Sequence, residues 1–110
     1  MNKLVVAAMA FAFAGVVHAG NPEAGKEKSR TCAACHGANG NSATGDFPKL
    51  AGQHYDYLVK SLREYKSGKR KNAIMAPMAA PLSERDMDDL AAYYSHQQGL
   101  VTRKNSYLVH

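Results

Sequence analysis

The spacing of apolar residues predicts three helices after residue 20. The first is short and runs to about Cys32. It begins near residue 21, because Asn21 can cap a helix and Pro22 suits its first position. The second is predicted over 53–67, where Gly68 provides a C-terminal cap. Its apolar face repeats every three or four positions and comprises Tyr55, Leu58, Val59, Leu62 and Tyr65.

The third predicted helix begins at Ser83, with Asp86 three positions later in an arrangement that resembles a capping box. Gly99 is expected to end it. Its buried stripe comprises Met87, Leu90, Ala91 and Tyr94. The connecting segments 37–52 and 69–82 contain glycine, proline and small polar residues and are predicted to be loops. No strand pattern is evident, so the predicted fold class is all-α.

The first 19 residues have the pattern of a secretory signal peptide. Lys3 precedes an uncharged apolar run from Leu4 to Val17, and a small-x-small cleavage sequence ends at Ala19. An uncleaved membrane anchor is the alternative, but the run is shorter than the roughly 20 residues that span a bilayer. We therefore predict a cleaved signal peptide over 1–19, one domain over 20–98 and a C-terminal tail over 99–110.

Length and charge restrict the class of protein. The chain has 110 residues and a formal net charge of +5, which falls by one if Lys3 is removed. This charge is too small to indicate nucleic-acid binding, and no basic stretch is interleaved with aromatic residues. Positive residues concentrate in 60–71 and acidic residues in 84–89. They either form a dipolar surface that steers docking or are ordinary solvated helix faces.

The most specific motif is Cys32-Ala33-Ala34-Cys35-His36, which contains the only two cysteines of the chain. C-x-x-C-H is the attachment sequence of a c-type haem, in which the thiols bond to the porphyrin and the histidine ligates the iron. A thioredoxin-like dithiol would need a strand before the motif. A structural zinc site would need about four ligands at paired spacing. A local disulfide would leave His36 unexplained.

A haem iron held by one histidine has a sixth position that a methionine can fill. Three methionines of the predicted mature chain are candidates. Met87 belongs to an apolar helix stripe and is predicted to be core. Met75 and Met78 lie in a predicted loop that can wrap around a cofactor, and residue chemistry alone does not separate them.

These residues together resemble a class I c-type cytochrome. The resemblance is to one half of the dihaem cytochrome c4 group and to its short single-haem relatives, and covers about 23–94. Its matching segments are Glu23-Ala24-Gly25, 32–37, Gly40-Asn41-Ser42, 47–53, the Met75 loop, Leu82-Ser83 and 90–93. It implies a small class I cytochrome c fold, with three main helices around one covalently attached haem c and Gly25 where the first and last helices cross, against Leu90 and Tyr93.

The resemblance also implies site residues. Cys32 and Cys35 would hold the haem, and His36 and Met75 would be the axial iron ligands, because the family places its methionine eight residues before the serine that starts the last helix. Met78 is the second choice. The carbonyl of Pro48 would accept a hydrogen bond from the ring of His36. Gln53, Tyr57, Arg70 and Asn72 are candidates for contact with the haem propionates, with a plain surface role as the alternative for each.

The expected function is that of an exported single-haem electron carrier, not an enzyme, in a bacterial periplasm. It would cycle between Fe(II) and Fe(III) and serve redox protein partners transiently, with weak self-association and without stable membrane insertion after cleavage. One alternative is a haem-bearing electron-transfer subunit of a larger dehydrogenase or oxidase. A second is an open-site haem sensor or enzyme, in which no methionine binds the iron.

Overall fold

A computed structural model describes residues 20–100 of the chain. Those residues form five helices and no strand: α1 (Pro22–Lys28), α2 (Arg30–His36), α3 (Tyr55–Ser67), α4 (Met75–Ala79) and α5 (Glu84–Ser95). The predicted all-α class is therefore confirmed. The predicted signal peptide (1–19) and residues 101–110 of the predicted tail lie outside the described residues. Within 20–100, no helix is both long and apolar enough to cross a membrane.

The helix boundaries differ from the prediction in several places, among them the start of α3 at Tyr55 and not at residue 53, and the end of α2 at His36 and not at about Cys32. The first predicted helix is two helices that meet at Ser29, whose hydroxyl donates to the Lys26 carbonyl at 2.7 Å. A short helix, α4, lies within the predicted loop 69–82. Its Pro77 falls in the first turn, where a helix has no intrahelical use for the missing N–H. The last helix ends at Ser95, before Gly99.

Helices α1 and α5 cross in close contact at Gly25. A Cβ atom built on Gly25 would lie 1.9 Å from the Asp89 carbonyl oxygen and 2.8 Å from the Tyr93 Cβ. No side chain fits there, which explains the glycine in physical terms. The predicted crossing is confirmed, although the nearest atoms belong to Asp89 and Tyr93 and not to Leu90.

A buried carboxylate joins the same two helices. Asp89 was expected within an acidic surface segment, but only 2% of it is exposed. Its oxygens accept from the Lys28 ammonium at 2.6 Å and from the Asn21 backbone N–H at 2.8 Å. Burial alone would raise the pKa of Asp89, but these two donors outweigh it and lower the pKa. The carboxylate thus stabilises the position of α1 on α5.

The hydrophobic core lies mainly between α3 and α5. Its buried members are Leu58, Val59, Leu90, Ala91, Tyr93 and Tyr94, and Cys32 packs against them from α2. This core buries one face of α3 but does not cover Tyr57, which is exposed, or Ser61, which is half-buried. The arrangement brings α2, α3 and α4 around a common cleft.

Candidate haem site

A mostly apolar cleft of about 430 Å³ opens between α2, α3 and α4. Every residue that the sequence predicted to hold or contact a haem lines it, as do several apolar side chains. The lining comprises Thr31, Cys32, Cys35, His36, Asp46, Phe47, Pro48, Lys49, Leu50, Gln53, Tyr57, Leu58, Ser61, Leu62, Tyr65, Arg70, Asn72, Ile74, Met75 and Met78. The fold thus collects residues separated by more than forty positions in the sequence into one site.

His36 is held in one ring orientation. It is the last residue of α2 and is buried, and its Nδ1 lies 2.8 Å from the carbonyl oxygen of Pro48. A carbonyl oxygen only accepts, so Nδ1 carries the proton and Nε2 keeps a free lone pair. Phe47 contacts the ring edge-on, with ring centroids 6.3 Å apart. This is the arrangement that a metal-binding histidine requires.

Glycines in left-handed conformations bring Pro48 to His36. Gly37 ends α2 with φ +84°, and a Cβ there would lie 2.5 Å from the Asn41 carbonyl oxygen. Gly40 has φ +83°, and its carbonyl accepts from the backbone N–H groups of Leu50 and Ala51. The loop therefore folds back along α2 and returns to the cleft at Pro48.

The two cysteines are free, half-buried thiols on α2 and both face the cleft. Burial raises the pKa of the Cys32 thiol, so it is a poor thiolate at neutral pH. In the part of the chain that the structure describes, no group of three or more His, Cys, Asp or Glu side chains is placed to hold a metal ion. The thioredoxin-like alternative gains no support from this site, since α1 and not a strand precedes α2.

The three candidate methionines fall into two groups. Met87 lies in the core with 1% of its surface exposed and does not line the cleft. Met75 and Met78 both line the cleft from α4, where Met75 is half-buried and Met78 is 37% exposed. The core position expected for Met87 is confirmed.

The polar side chains expected near the propionates also line the cleft, but each already makes a hydrogen bond within the protein; the Gln53 Oε1 accepts from the His54 N–H at 2.9 Å. Arg70 Nη1 lies 3.3 Å from the Tyr57 hydroxyl, and its guanidinium sits 4.7 Å from the ring centroid of Tyr65. The hydrogen bond from Arg70 lowers the pKa of Tyr57. The side-chain oxygen of Asn72 accepts from the backbone of Ile74 and Met75. These turn-stabilising hydrogen bonds were not predicted, although an asparagine two and three residues before those N–H groups is their signal.

These residues fit a haem. The cleft is apolar, as a porphyrin requires, and Cys32 and Cys35 stand beside an imidazole whose Nε2 is free. Thioether sulfur is available from Met75 or Met78, and positive charge from Arg70. The all-helical fold and this donor set define a c-type cytochrome.

Comparison with known proteins places the chain within that class. The Cytochrome c family model matches residues 22–98, so the chain belongs to the cytochrome c family, whose cofactor is covalently attached haem c. Its sequence is 44% identical over 112 residues to cytochrome c4 of Stutzerimonas stutzeri, covering 92% of this chain and 53% of that protein. It is 46% identical over 83 residues to cytochrome c-554(548) of Halomonas halodenitrificans, covering 73% of this chain and 100% of that protein.

A solved structure and a third relative extend the comparison. Reduced cytochrome c4 from Pseudomonas stutzeri superposes with a TM-score of 0.71 at 47% identity, over 76% of this chain and 48% of that chain. The thiosulfate dehydrogenase electron acceptor of Thiomonas intermedia is 47% identical over 70 residues, which cover 62% of this chain and 32% of that protein. The chain therefore spans about half the length of the cytochrome c4 relatives that it matches. The resemblance and the class I cytochrome c fold inferred from the sequence are confirmed.

Proposed function

We propose that the protein is a single-haem electron carrier in which Cys32 and Cys35 hold the haem and His36 and Met75 ligate its iron. The observation that carries the proposal is the cleft that gathers both thiols, the oriented imidazole and the Met75 thioether. When bound, the haem supplies an iron that accepts and releases one electron. The chain supplies attachment, two axial ligands and an apolar enclosure.

The role of His36 follows from its hydrogen bond. Because the Pro48 carbonyl accepts a hydrogen bond from the Nδ1–H, Nε2 is left as the ligand atom and the ring cannot rotate freely. The same hydrogen bond makes the imidazole a stronger electron donor. A ligand that keeps its orientation in both oxidation states limits the rearrangement that accompanies electron transfer. Pro48 has no N–H of its own, and its fixed φ restricts the backbone that presents the carbonyl.

Met75 is the favoured sixth ligand and Met78 the second choice. Both line the cleft, but Met78 is the more exposed side chain. Met75 also has the spacing of eight residues before Ser83 that the family resemblance implies. A thioether on the iron raises its potential and leaves no position for an external ligand. This distinguishes a carrier from an open-site sensor or enzyme.

The test is carbon monoxide binding to reduced, haem-loaded Met75→Ala and Met78→Ala. Met75→Ala is expected to bind carbon monoxide readily, because removal of the thioether opens the iron. Met78→Ala is the matched control, since it removes the same side chain from the same short helix, and it is expected to behave like wild type. If the two variants exchange these behaviours, Met78 is the ligand.

We propose that the protein interacts with redox partners, that the contact is transient and that it involves the basic segment 60–71. Much of its charge is already paired inside the molecule: Arg63 with Glu84 at 2.7 Å, and Lys60 with Glu64 at 3.6 Å. Steering by this surface is therefore weaker than the formal charge indicates. Weak self-association is proposed because the chain matches about half of each cytochrome c4 relative. Sedimentation that shows only monomer at high concentration would contradict it.

We also propose that the protein acts in the bacterial periplasm after removal of residues 1–19. The charged start, apolar run and cleavage sequence support export, and the relatives reported above are bacterial proteins. Gly20 would then be the first residue of the mature chain. Mass spectrometry of the exported protein should give an N-terminus at Gly20, and an intact Met1 would contradict cleavage.

A second role, as the electron-transfer subunit of a larger enzyme, is favoured by one observation. A relative carries the name thiosulfate dehydrogenase electron acceptor. The same haem site serves both roles, but a permanent subunit would keep its partner through purification. Isolation of the haem protein alone supports the free carrier, and a stable stoichiometric complex supports the subunit.

A further inference from the structure

Asn72 fixes the backbone from which Met75 enters the cleft. Its Oδ1 accepts from the N–H of Ile74 and from the N–H of Met75, each at 2.9 Å. Its own backbone carbonyl accepts from the N–H of Ala76 at 3.0 Å. Three successive N–H groups around Met75 therefore depend on this one residue.

The surrounding segment has anchors on either side of Asn72. Before it, the N–H of Arg70 donates to the Glu64 carbonyl on α3 at 3.0 Å. After it, Ala79 is fully buried and packs the end of α4 against the rest of the protein. Residues 71–74 between these anchors are exposed. On the exposed N-terminal side of Met75, the hydrogen bonds of the Asn72 side chain are thus the described hydrogen bonds that lie nearest to Met75.

We propose that Asn72 is a positioning residue that keeps the Met75 thioether on the iron; the inference rests on the proposed Met75 ligation. A side-chain oxygen that accepts N–H groups at the start of a helical turn stabilises that turn against local opening. Without it, the Met75 backbone is satisfied by water, and the segment opens more often. Each opening removes the sixth ligand, so Asn72 sets how labile that ligand is.

The experiment compares Asn72→Ala with wild type in the haem-loaded protein. Asn72→Ala is expected to raise the carbon monoxide binding rate of the reduced form about tenfold. This factor corresponds to a loss of about 1.4 kcal/mol in the free energy that keeps the Met75 segment closed. In the ferric form, the absorption band of the thioether–iron bond should weaken. Asn72→Asp retains the acceptor oxygen and should restore both properties.

Asn21→Ala is the matched control. The Asn21 Oδ1 accepts from the N–H of Glu23 at 2.9 Å and of Ala24 at 3.2 Å, the same spacing as at Asn72, but on α1 and outside the cleft lining. Asn21→Ala should lower the free energy of unfolding by a similar amount and leave carbon monoxide binding at the wild-type rate. Asn72→Gln, which displaces the acceptor by one methylene, provides a second variant if Asn72→Ala does not accumulate.

The outcomes separate this inference from the function on which it rests. If wild type resists carbon monoxide and Asn72→Ala binds it no faster than Asn21→Ala, the positioning role is wrong and the axial ligation stands. If wild type itself binds carbon monoxide readily, the closed iron site is wrong and the role of Asn72 fails with it. A rise in the Asn72→Ala rate that Asn72→Asp reverses supports the inference.

Discussion

Replacement of Gly25 by alanine tests the helix crossing on which the site is built. The added Cβ would lie 1.9 Å from the carbonyl oxygen of Asp89, whereas ordinary contact begins at 3.4 Å. The Asp89 carbonyl is backbone within α5 and cannot rotate away. One helix must therefore move by about 1.5 Å, the shortfall between these distances.

The expected cost follows from opposing effects. Overpacking of a tight contact typically costs about 1–3 kcal/mol, and contact with backbone belongs at the upper end. Alanine in a helix recovers about 0.5–1 kcal/mol relative to glycine. The expected net loss in unfolding free energy is about 2 kcal/mol, or a fall of roughly 10 °C in Tm for a domain of this size.

Denaturant unfolding of the haem-loaded protein measures this loss, with Gly45→Ala as the control. No atom lies within 4 Å of a Cβ at Gly45, so that substitution should change stability by less than about 0.5 kcal/mol. Equal stabilities for Gly25→Ala and Gly45→Ala would refute the tight crossing. A Gly25→Ala loss restored by Gly25→Ser would refute it as well, because serine carries the same Cβ.

Two further predictions concern charge. The Ser83 backbone N–H and the Lys28 ammonium lower the pKa of Asp86 from 3.8 to about 2. The ionised Asp86 therefore contributes to the free energy of unfolding above about pH 4, and this contribution is lost as pH falls towards 2. Because Asp86 is partly exposed, the contribution is limited to about 1–2 kcal/mol. Unfolding at a series of pH values should show this loss in wild type and less of it in Asp86→Asn, and equal slopes would contradict the assignment. Electron transfer to an acidic redox partner should slow as ionic strength rises, and a salt-independent rate would remove the proposed role of 60–71.

The sequence was sufficient for the parts of the fold that depend on local patterns. The apolar face of α3 and the capping box of α5 both appear where their patterns predict them. The break at Ser29 was not predictable, because a serine within a polar helix gives no signal of where its hydroxyl will bond. The short α4 was hidden by Pro77, which usually indicates a loop.

The candidate site was predictable where its chemistry is local and less so where it depends on contacts across the chain. The C-x-x-C-H motif indicates a haem from five consecutive residues. Burial of Asp89 depends on Lys28, 61 positions away, and no pattern in the acidic segment separates it from its exposed neighbours. The hydrogen bonds of the Asn72 side chain are local, but their functional consequence depends on what Met75 binds.

Both axial positions of the iron are proposed to be filled, as an electron carrier requires. The most direct test is carbon monoxide binding to the reduced, haem-loaded wild-type protein, followed by absorbance. With His36 and Met75 as the proposed axial ligands, no rapid change in the spectrum is expected on mixing, because neither axial position is open. Rapid formation of a carbon monoxide complex would contradict it and would favour an open-site sensor or enzyme.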